Sequence, residues 1–187
     1  MARFRPSLAA ALMTIVAVSA PLVPAAQARE SAARITQRGE EALQQLEARE
    51  PRSRLFASHA RAVLVFPAIF KAGLVFGGES GDGVLFVNGH QAGFYNLSGG
   101  SFGFQAGAEK FGYVLFLMND SALRHVRRSS GLDLGTGPSL VIINSGAAAE
   151  ANSTTLTKDI YAFPFNTQGL MADLTLQGTK ISHIHPR

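Results

Sequence analysis

The chain has 187 residues, a length typical of one domain, and 47% of them are hydrophobic, enough to build a sizeable core. It contains no cysteine, which excludes disulfide bonds, a thiol nucleophile and cysteine-ligated metal. The formal net charge of +4 includes Arg3 and Arg5 at the very start of the chain, so bulk charge does not indicate nucleic-acid binding.

The first 28 residues have the pattern of a signal peptide. Arg3 and Arg5 form a positive start, residues 8–20 form an apolar run, and Ala26-Gln27-Ala28 is a small-x-small cleavage site. The alternative is a membrane anchor, but the run is short for a membrane span and prolines follow it at once. Because no cysteine follows the run, a lipoprotein anchor is not expected. We therefore expect cleavage before Arg29 and a periplasmic or secreted protein.

Residues 29–60 form a predicted helical segment. The apolar residues of 31–50 recur with helical spacing, Ser31 is suited to the N-cap, and Pro51 cannot continue the helix. Residues 52–60 predict a second, short helix that carries Leu55 and Phe56.

The basic residues between positions 49 and 71 form the main basic cluster of the chain after the signal peptide, and only one acidic residue, Glu50, accompanies them. Such a run is usually a solvated face. The functional alternative is a contact surface for anionic lipid head groups. The members are Arg49, Arg52, Arg54, Arg61 and Lys71.

Residues 61–187 predict a β-rich body. The apolar run 62–66 is a strand ended by Pro67, and runs 72–76 and 84–87 predict a hairpin with its turn at the glycines of 77–83. Asn88-Gly89 is a tight-turn signal, and strands over 92–97, 98–108 and 113–118 follow. Consecutive strands with short connections predict an antiparallel meander, in which the doubly apolar run 113–118 is central.

The run 98–108 has unusually bare positions for a strand. Gly99, Gly103 and Gly107 fall on one face, at every fourth residue. Glycine is costly inside a strand, so we expect another element, a second sheet or a ligand to approach closely there.

One helix interrupts the predicted β region near 120–128, capped by Asn119. Beyond it, short strands are predicted over 132–134, 140–143, 159–165, 169–176 and 179–184, with a loop or edge strand over 146–157. The predicted fold class is α+β: one β-rich domain with a mostly antiparallel sheet or barrel-like sheets, N-terminal helices and one inserted helix.

No catalytic or metal-binding set is evident. There is no nucleophile elbow, His183 and His185 share a strand face but have no third ligand, and Glu79 and Asp82 fit solvated carboxylates better than a cation site. We therefore predict no cofactor, no metal and no enzyme activity. An envelope hydrolase using His59 or His125 is a minor alternative.

Several separate blocks of the chain occur in the order typical of one family. They include Val65-Phe66-Pro67, Lys71-Ala72-Gly73, Gly81-Asp82-Gly83, Ser101-Phe102-Gly103-Phe104-Gln105 and Leu176-Gln177-Gly178-Thr179-Lys180. On these blocks the chain resembles the SYLF domain family, a lipid-binding and actin-binding-like domain, and the resemblance is close to its bacterial exported branch. The resemblance extends over about residues 31–184, so a signal peptide over 1–28 and one domain over 29–187 are expected.

The resemblance implies a compact β-rich α+β domain and phospholipid binding through a basic, amphipathic N-terminal segment. Eukaryotic relatives bind phosphoinositides, and some bind and bundle actin. Two features depart from the pattern: Asp173 and Thr175 stand where small residues are expected, and the helix over 31–50 is nearly charge-balanced. Actin is not expected as a partner in an export compartment.

The resulting hypothesis is a non-enzymatic phospholipid-binding protein of the bacterial envelope. Cations would attract phosphate head groups, while Phe56 and Phe70, expected to be exposed, would enter the membrane interface. The alternative is a protein-interaction or scaffold module that uses the bare glycine face or an exposed edge strand. The predicted lipid-contact residues are Arg49, Arg52, Arg54, Phe56, Arg61, Phe70 and Lys71.

Overall fold

The computed structural model describes residues 31–73, 76–102, 107–128, 130–143, 156–168, 176 and 178–186. These residues form three helices and eight strands, which agrees with the predicted α+β, β-rich class. The predicted signal peptide, most of the loop predicted over 146–157 and nearly all of the strand predicted over 169–176 lie outside the described residues.

The two N-terminal helices are α1 (Ala32–Arg49) and α2 (Ser53–His59). α1 buries a stripe of Ile35, Ala42 and Leu46, and this stripe includes Gly39. A Cβ at Gly39 would overlap Val84 of the sheet, so this glycine lets the helix axis approach the strands closely. Its cost in helix propensity, about 1 kcal/mol relative to alanine, is therefore offset by packing.

The third helix, α3 (Asp120–Arg127), begins with a side-chain cap. The backbone N–H of Ala122 donates to Oδ1 of Asn119 at 2.9 Å, as the sequence predicts for an N-cap. Asn119 in turn donates through Nδ2 to Oδ1 of Asp159 at 2.7 Å. Asp159 also accepts hydrogen bonds from the backbone and side chain of Ser139, and these bonds lower the pKa of its carboxyl group.

The strands form one sheet in the order β5-β8-β3-β2-β1-β4-β7-β6. Neighbouring strands are antiparallel except β6 and β7, which are parallel. The short strands β5 and β6 lie at the two edges. The bounds are β1 (Ala62–Gly73), β2 (Phe76–Val87), β3 (His90–Phe102), β4 (Gly107–Leu117), β5 (Leu132–Asp133), β6 (Leu140–Ile142), β7 (Ile160–Gln168) and β8 (Thr179–Ile184).

The predicted meander is wrong for the first four strands. β4 pairs with β1 and not with β3, so their spatial order is that of a Greek key. The chain returns from β3 past the β1–β2 pair before it adds β4. The reason is that β4 is apolar on both faces, because Leu115 and Phe116 are both fully buried. A position beside β1, inside the sheet, covers both faces of the strand.

Two further predictions fail in β1 and β2. Pro67 does not end β1, because a bulge between Phe66 and Ile69 accommodates the missing N–H within a longer strand. The glycines of 77–83 are not a turn but part of the continuous strand β2. A Cβ at Gly81 would overlap the carbonyl oxygen of Ala68 and lie 2.9 Å from Cα of Ile69, so glycine is needed for close packing against the bulge.

The sheet has an apolar cluster on each face. On the first face, which we call the α3 face, Leu64, Leu85 and Leu115 pack with α3. On the second, which we call the α1 face, Val65 and Phe116 pack with α1 and α2. Over the described residues, no helix is both long and apolar enough to span a membrane.

Candidate functional site

The predicted basic segment does not form one surface. Arg49, in the last turn of α1, Arg52 and Arg54, at the start of α2, and Arg61, before β1, are all exposed. Phe70 lies nine residues farther along β1, which at about 3.3 Å per residue places it roughly 30 Å from Arg61. Arg61 and Phe70 therefore lie near opposite ends of β1 and do not share one contact surface.

Two of the arginines near α2 are paired with carboxylates. Arg54 Nε lies 3.4 Å from Oε2 of Glu47, and Arg61 Nε lies 2.7 Å from Oδ1 of Asp120. Exposed pairs of this kind contribute only about 0–1 kcal/mol, so they do not lock the side chains. They do reduce the net positive charge that this part of the surface presents.

Phe56 is not an exposed ring, so its predicted contact with a membrane is wrong. Its side chain is 0% exposed and packs against the rings of Phe116, Tyr161 and Phe163. The reason is that α2 is short and lies on the sheet, so that Phe56, its one fully buried large apolar side chain, anchors it there.

Phe70 is exposed as predicted, but Lys71 does not share its surface. Phe70 is 60% exposed on the α1 face, and Nζ of Lys110 lies 5.5 Å from the centroid of its ring, a cation–π distance. Lys71 follows directly in the strand and therefore points to the other face. There it pairs in register with Glu79 on β2 and Glu109 on β4.

A pocket of about 350 Å³ lies between α1 and strands β4 and β7. Its walls carry three basic side chains, Arg38, Arg49 and Lys110, and one acidic side chain, Glu41. Lys110 belongs both to this pocket and to the pair with Phe70. Through Lys110, the pocket therefore brings Arg49 near the exposed ring of Phe70. The sequence alone did not predict that these residues lie near each other.

The helix wall of the pocket follows from the spacing of α1. Arg38, Gln45 and Arg49 are seven and four residues apart, so they lie along one side of the helix, next to its buried stripe. The strand wall follows from a bulge in β7, where the pairing with β4 shifts between Lys110 and Gly112. A Cβ at Gly112 would overlap the ring of Phe165, so glycine lets this ring line the pocket.

Asn166 joins the two walls. It lies in the β7 bulge with a φ of 51°, a left-handed conformation that asparagine tolerates better than most residues. Its Oδ1 accepts a hydrogen bond from Nη1 of Arg49 at 2.6 Å, and its Nδ2 donates to Oε1 of Gln45 at 3.0 Å. The bulge thus holds the guanidinium group of Arg49 at the pocket.

The comparison with protein families decides what kind of domain this is. Residues 98–185 match the family model described as "Ysc84: Las17-binding protein actin regulator". This part of the chain belongs to the Ysc84 family. This is the SYLF domain family that the sequence blocks resemble. No curated protein matches the chain.

The residues that match the Ysc84 family include only one of the two walls of the pocket. Lys110, Phe165 and Asn166, which form the strand wall, lie within residues 98–185. Arg38 and Arg49, on α1, precede the matched range. The family is described as a binding protein and not as an enzyme.

On the α3 face of this Ysc84 domain, a polar row crosses the sheet at the level of Lys71. Glu79 is only 9% exposed, and its burial raises the pKa of its carboxyl group, an effect that the charge of Lys71 opposes. Gly99 leaves room for it: a Cβ there would lie 3.0 Å from Oε1 of Glu79 and 2.6 Å from Cγ2 of Thr179. The close approach predicted at Gly99 is confirmed, whereas Gly103 lies outside the described residues.

The histidines form no acid–base set among the described residues. Nδ1 of His59 lies 2.9 Å from the carbonyl oxygen of Leu55, and Nδ1 of His125 lies 2.8 Å from that of Ser121, so both interactions are local to one helix. His183 and His185 have ring centroids 4.7 Å apart, but the described part of the chain brings no third metal ligand to them.

Sequence reasoning missed Arg38, Lys110 and Asn166. The helical spacing of Arg38, Gln45 and Arg49 was a usable signal for one wall. Lys110 and Asn166 gave no such signal, because their meeting with α1 depends on the strand order and on the bulge in β7.

Proposed function

We propose that this protein binds anionic phospholipid membranes without catalysing a reaction, and that it does so in a bacterial envelope after export. The observation that carries the proposal is the exposed ring of Phe70 beside Lys110, next to the pocket that holds Arg38 and Arg49. An apolar ring flanked by cations suits a membrane interface, where the ring enters the head-group region and the cations meet phosphate.

The expected affinity is low and the binding reversible. Each cation near an anionic surface contributes about 1 kcal/mol, and burial of one phenylalanine side chain contributes about 2 kcal/mol. Arg49, Lys110 and one ring sum to about 4 kcal/mol, which corresponds to a dissociation constant of roughly 1 mM. Because about half of this term is electrostatic, it weakens as salt is added.

The arginines near α2 have a secondary role in this proposal. Arg54 and Arg61 each have a carboxylate partner, so their attraction to a membrane is partly offset. We therefore assign the main contact to Phe70, Lys110 and Arg49.

The location rests on the N-terminal sequence. Residues 1–28 have the pattern of a cleaved signal peptide, and lie outside the described residues. Protein recovered from the periplasm of a bacterial host is expected to begin at Arg29, and an intact Met1 in that fraction would contradict export by cleavage.

The alternative of a scaffold module has less support. An exposed edge strand would need length to pair with a partner, but the described edge strands span only Leu132–Asp133 and Leu140–Ile142. The bare position at Gly99 is filled by Glu79 and Thr179, so it does not offer an open surface.

Vesicle co-sedimentation of residues 29–187 tests the proposal. Wild-type protein is expected to sediment with vesicles that contain phosphatidylglycerol and to remain in solution with pure phosphatidylcholine, and added salt is expected to release it. Phe70→Ala is expected to weaken vesicle binding about thirtyfold, because the transfer of one ring, about 2 kcal/mol, is lost.

Arg124→Glu is the matched control for charge, because Arg124 is exposed on α3, which packs on the opposite face of the sheet. A Lys110→Glu variant is expected to lose more binding than Arg124→Glu. Equal binding of the wild type to neutral and anionic vesicles would refute the proposal.

A further inference from the structure

The pocket between α1 and strands β4 and β7 is more elaborate than contact with a charged surface requires. Its volume of about 350 Å³ lies in the range of small-molecule sites, about 300–1,000 Å³. Cations come from both walls, Arg38 and Arg49 from the helix and Lys110 from the strands. A flat membrane needs only exposed charge, whereas a concave site with cations on two walls can hold one group between them.

We propose that this pocket binds a single phosphate-bearing head group and that the group belongs to a phospholipid. The inference rests on the proposed function, because it takes the phosphate from a membrane lipid. It goes further in naming one site with a stoichiometry of one lipid per chain.

The phosphate oxygens meet Arg49 and Lys110. A guanidinium group has five N–H donors in a planar fork, and Arg49 uses only Nη1 on Asn166 in the network described above. Its other donors remain for a phosphate, which guanidinium binds in a two-point geometry. Lys110 adds a point charge from the opposite wall.

The remaining polar groups select the substituent on the phosphate. Glu41 lines the pocket and accepts a hydrogen bond from Gln37 at 2.9 Å through Oε1, which leaves Oε2 as an acceptor. A carboxylate opposes a bare phosphate dianion but accepts hydrogen bonds from hydroxyl groups. The pocket therefore favours a phosphodiester whose substituent carries hydroxyls, such as a phosphorylated glycerol head group.

Asn166 is a positioning residue for this site. Its two hydrogen bonds hold Arg49 and Gln45 in place before a ligand arrives, which reduces the entropy lost on binding. The bulge that gives Asn166 its positive φ interrupts regular pairing of β7 with β4.

Phe70 indicates a lipid and not a free polyol phosphate. Its ring is exposed beside Lys110, so a head group bound in the pocket would place its acyl chains next to an apolar surface. A water-soluble polyol phosphate gains nothing from this ring.

Titration of residues 29–187, followed by amide NMR, tests the inference with two probes: dihexanoyl phosphatidylglycerol below its micelle concentration, and glycerophosphoglycerol, the same phosphodiester head group without acyl chains. The lipid is expected to cause saturable shifts at Gln45, Phe111 and Asn166 with one site per chain. We expect it to bind about tenfold tighter than glycerophosphoglycerol, because acyl chains add apolar contact.

Variants then assign the site. Arg49→Gln and Lys110→Gln are each expected to weaken lipid binding about tenfold, since each removes a charged donor to phosphate. In Asn166→Gly the new residue also tolerates positive φ, and no charge is removed. We expect this variant to weaken binding roughly threefold, because Arg49 and Gln45 are no longer held in place. Arg124→Gln, the matched control on α3, is expected to bind as the wild type does.

The outcomes separate this inference from the proposed function. If wild-type protein binds anionic vesicles while Arg49→Gln and Lys110→Gln match Arg124→Gln in the lipid titration, the pocket assignment is wrong and membrane binding stands. Equal affinity for glycerophosphoglycerol and the lipid would overturn the lipid as the ligand. Shifts that never saturate would overturn the single site.

Discussion

Phe56 and Phe70 illustrate how two similar residues of one short segment acquire opposite roles. Both lie in the segment 49–71, which holds the basic cluster. The residues next to them in the sequence do not indicate which of the two rings is exposed. Phe56 is on the side of α2 that faces the sheet, so it is buried against Phe116 and Phe163. Phe70 follows the bulge in β1, on the α1 face, and stays exposed.

Glu79 gives a prediction about pH. Burial raises the pKa of its carboxyl group in the folded protein above that in the unfolded chain, so the native state binds the proton more tightly. Its ionised form therefore destabilises the fold: stability is highest below the ordinary pKa of glutamate and falls as pH rises through the raised pKa. Glu79→Gln removes the charge while keeping the shape, so we expect it to be more stable than the wild type at neutral pH.

Urea unfolding of wild type and Glu79→Gln at several pH values between 4 and 8 measures this difference. We expect the advantage of the variant to shrink as pH falls toward the ordinary range of glutamate. A difference in unfolding free energy that stays constant with pH would show that Glu79 does not change its protonation behaviour on folding.

The element that departs most from its sequence pattern is β2. Its glycines suggested a turn, but Gly81 and Gly83 lie within a strand that packs closely against the bulge of β1. A Cβ at Gly83 would lie 2.5 Å from the ring of Phe66, and one at Gly81 would meet the backbone of β1. The glycines therefore serve close packing and not chain reversal.

Two alanine substitutions test this interpretation of β2. Gly81→Ala is expected to destabilise the protein by about 1–3 kcal/mol, because backbone atoms must move to admit the methyl group. Gly100→Ala in β3 is the matched control: nothing lies within 4 Å of its Cβ position, so a change of less than about 1 kcal/mol is expected. Chemical denaturation measures both, and equal effects would contradict the packing argument.

Across the whole molecule, one sheet separates two apolar clusters. β4 contributes to both, with Leu115 in the cluster that includes α3 and Phe116 in the one that includes α1 and α2. Because the clusters share the same strands, neither can lose its packing without exposing the other face of the sheet.

We therefore predict a single cooperative unfolding transition. Leu46→Ala in α1 and Leu115→Ala in β4 are each expected to cost about 2–5 kcal/mol and to shift that same transition. Far-ultraviolet circular dichroism reports the helices, while tyrosine fluorescence reports the sheet, since Tyr95, Tyr113 and Tyr161 all lie in strands. An early helical transition in Leu46→Ala alone would show that α1 unfolds independently.

The sequence by itself determined the local features of this protein. α1, α2 and α3, the Asn88-Gly89 turn, the cap at Asn119 and the doubly buried strand β4 all follow from periodicity and turn chemistry, which act between near neighbours in the chain. The α+β class and the family followed from the same patterns together with the resemblance.

Only the tertiary structure decided the strand order and the site. Whether a glycine-rich run turns or packs depends on what lies across from it, as at Gly81, and whether an arginine is paired depends on distant carboxylates, as Asp120 shows for Arg61. The pocket brings α1 together with Lys110 and Asn166. Asn166 is 117 positions from Arg49 and 121 positions from Gln45, its two hydrogen-bond partners on α1. Contacts of this kind follow from the pairing of β4 with β1 and β7, a nonlocal choice that no local pattern encodes.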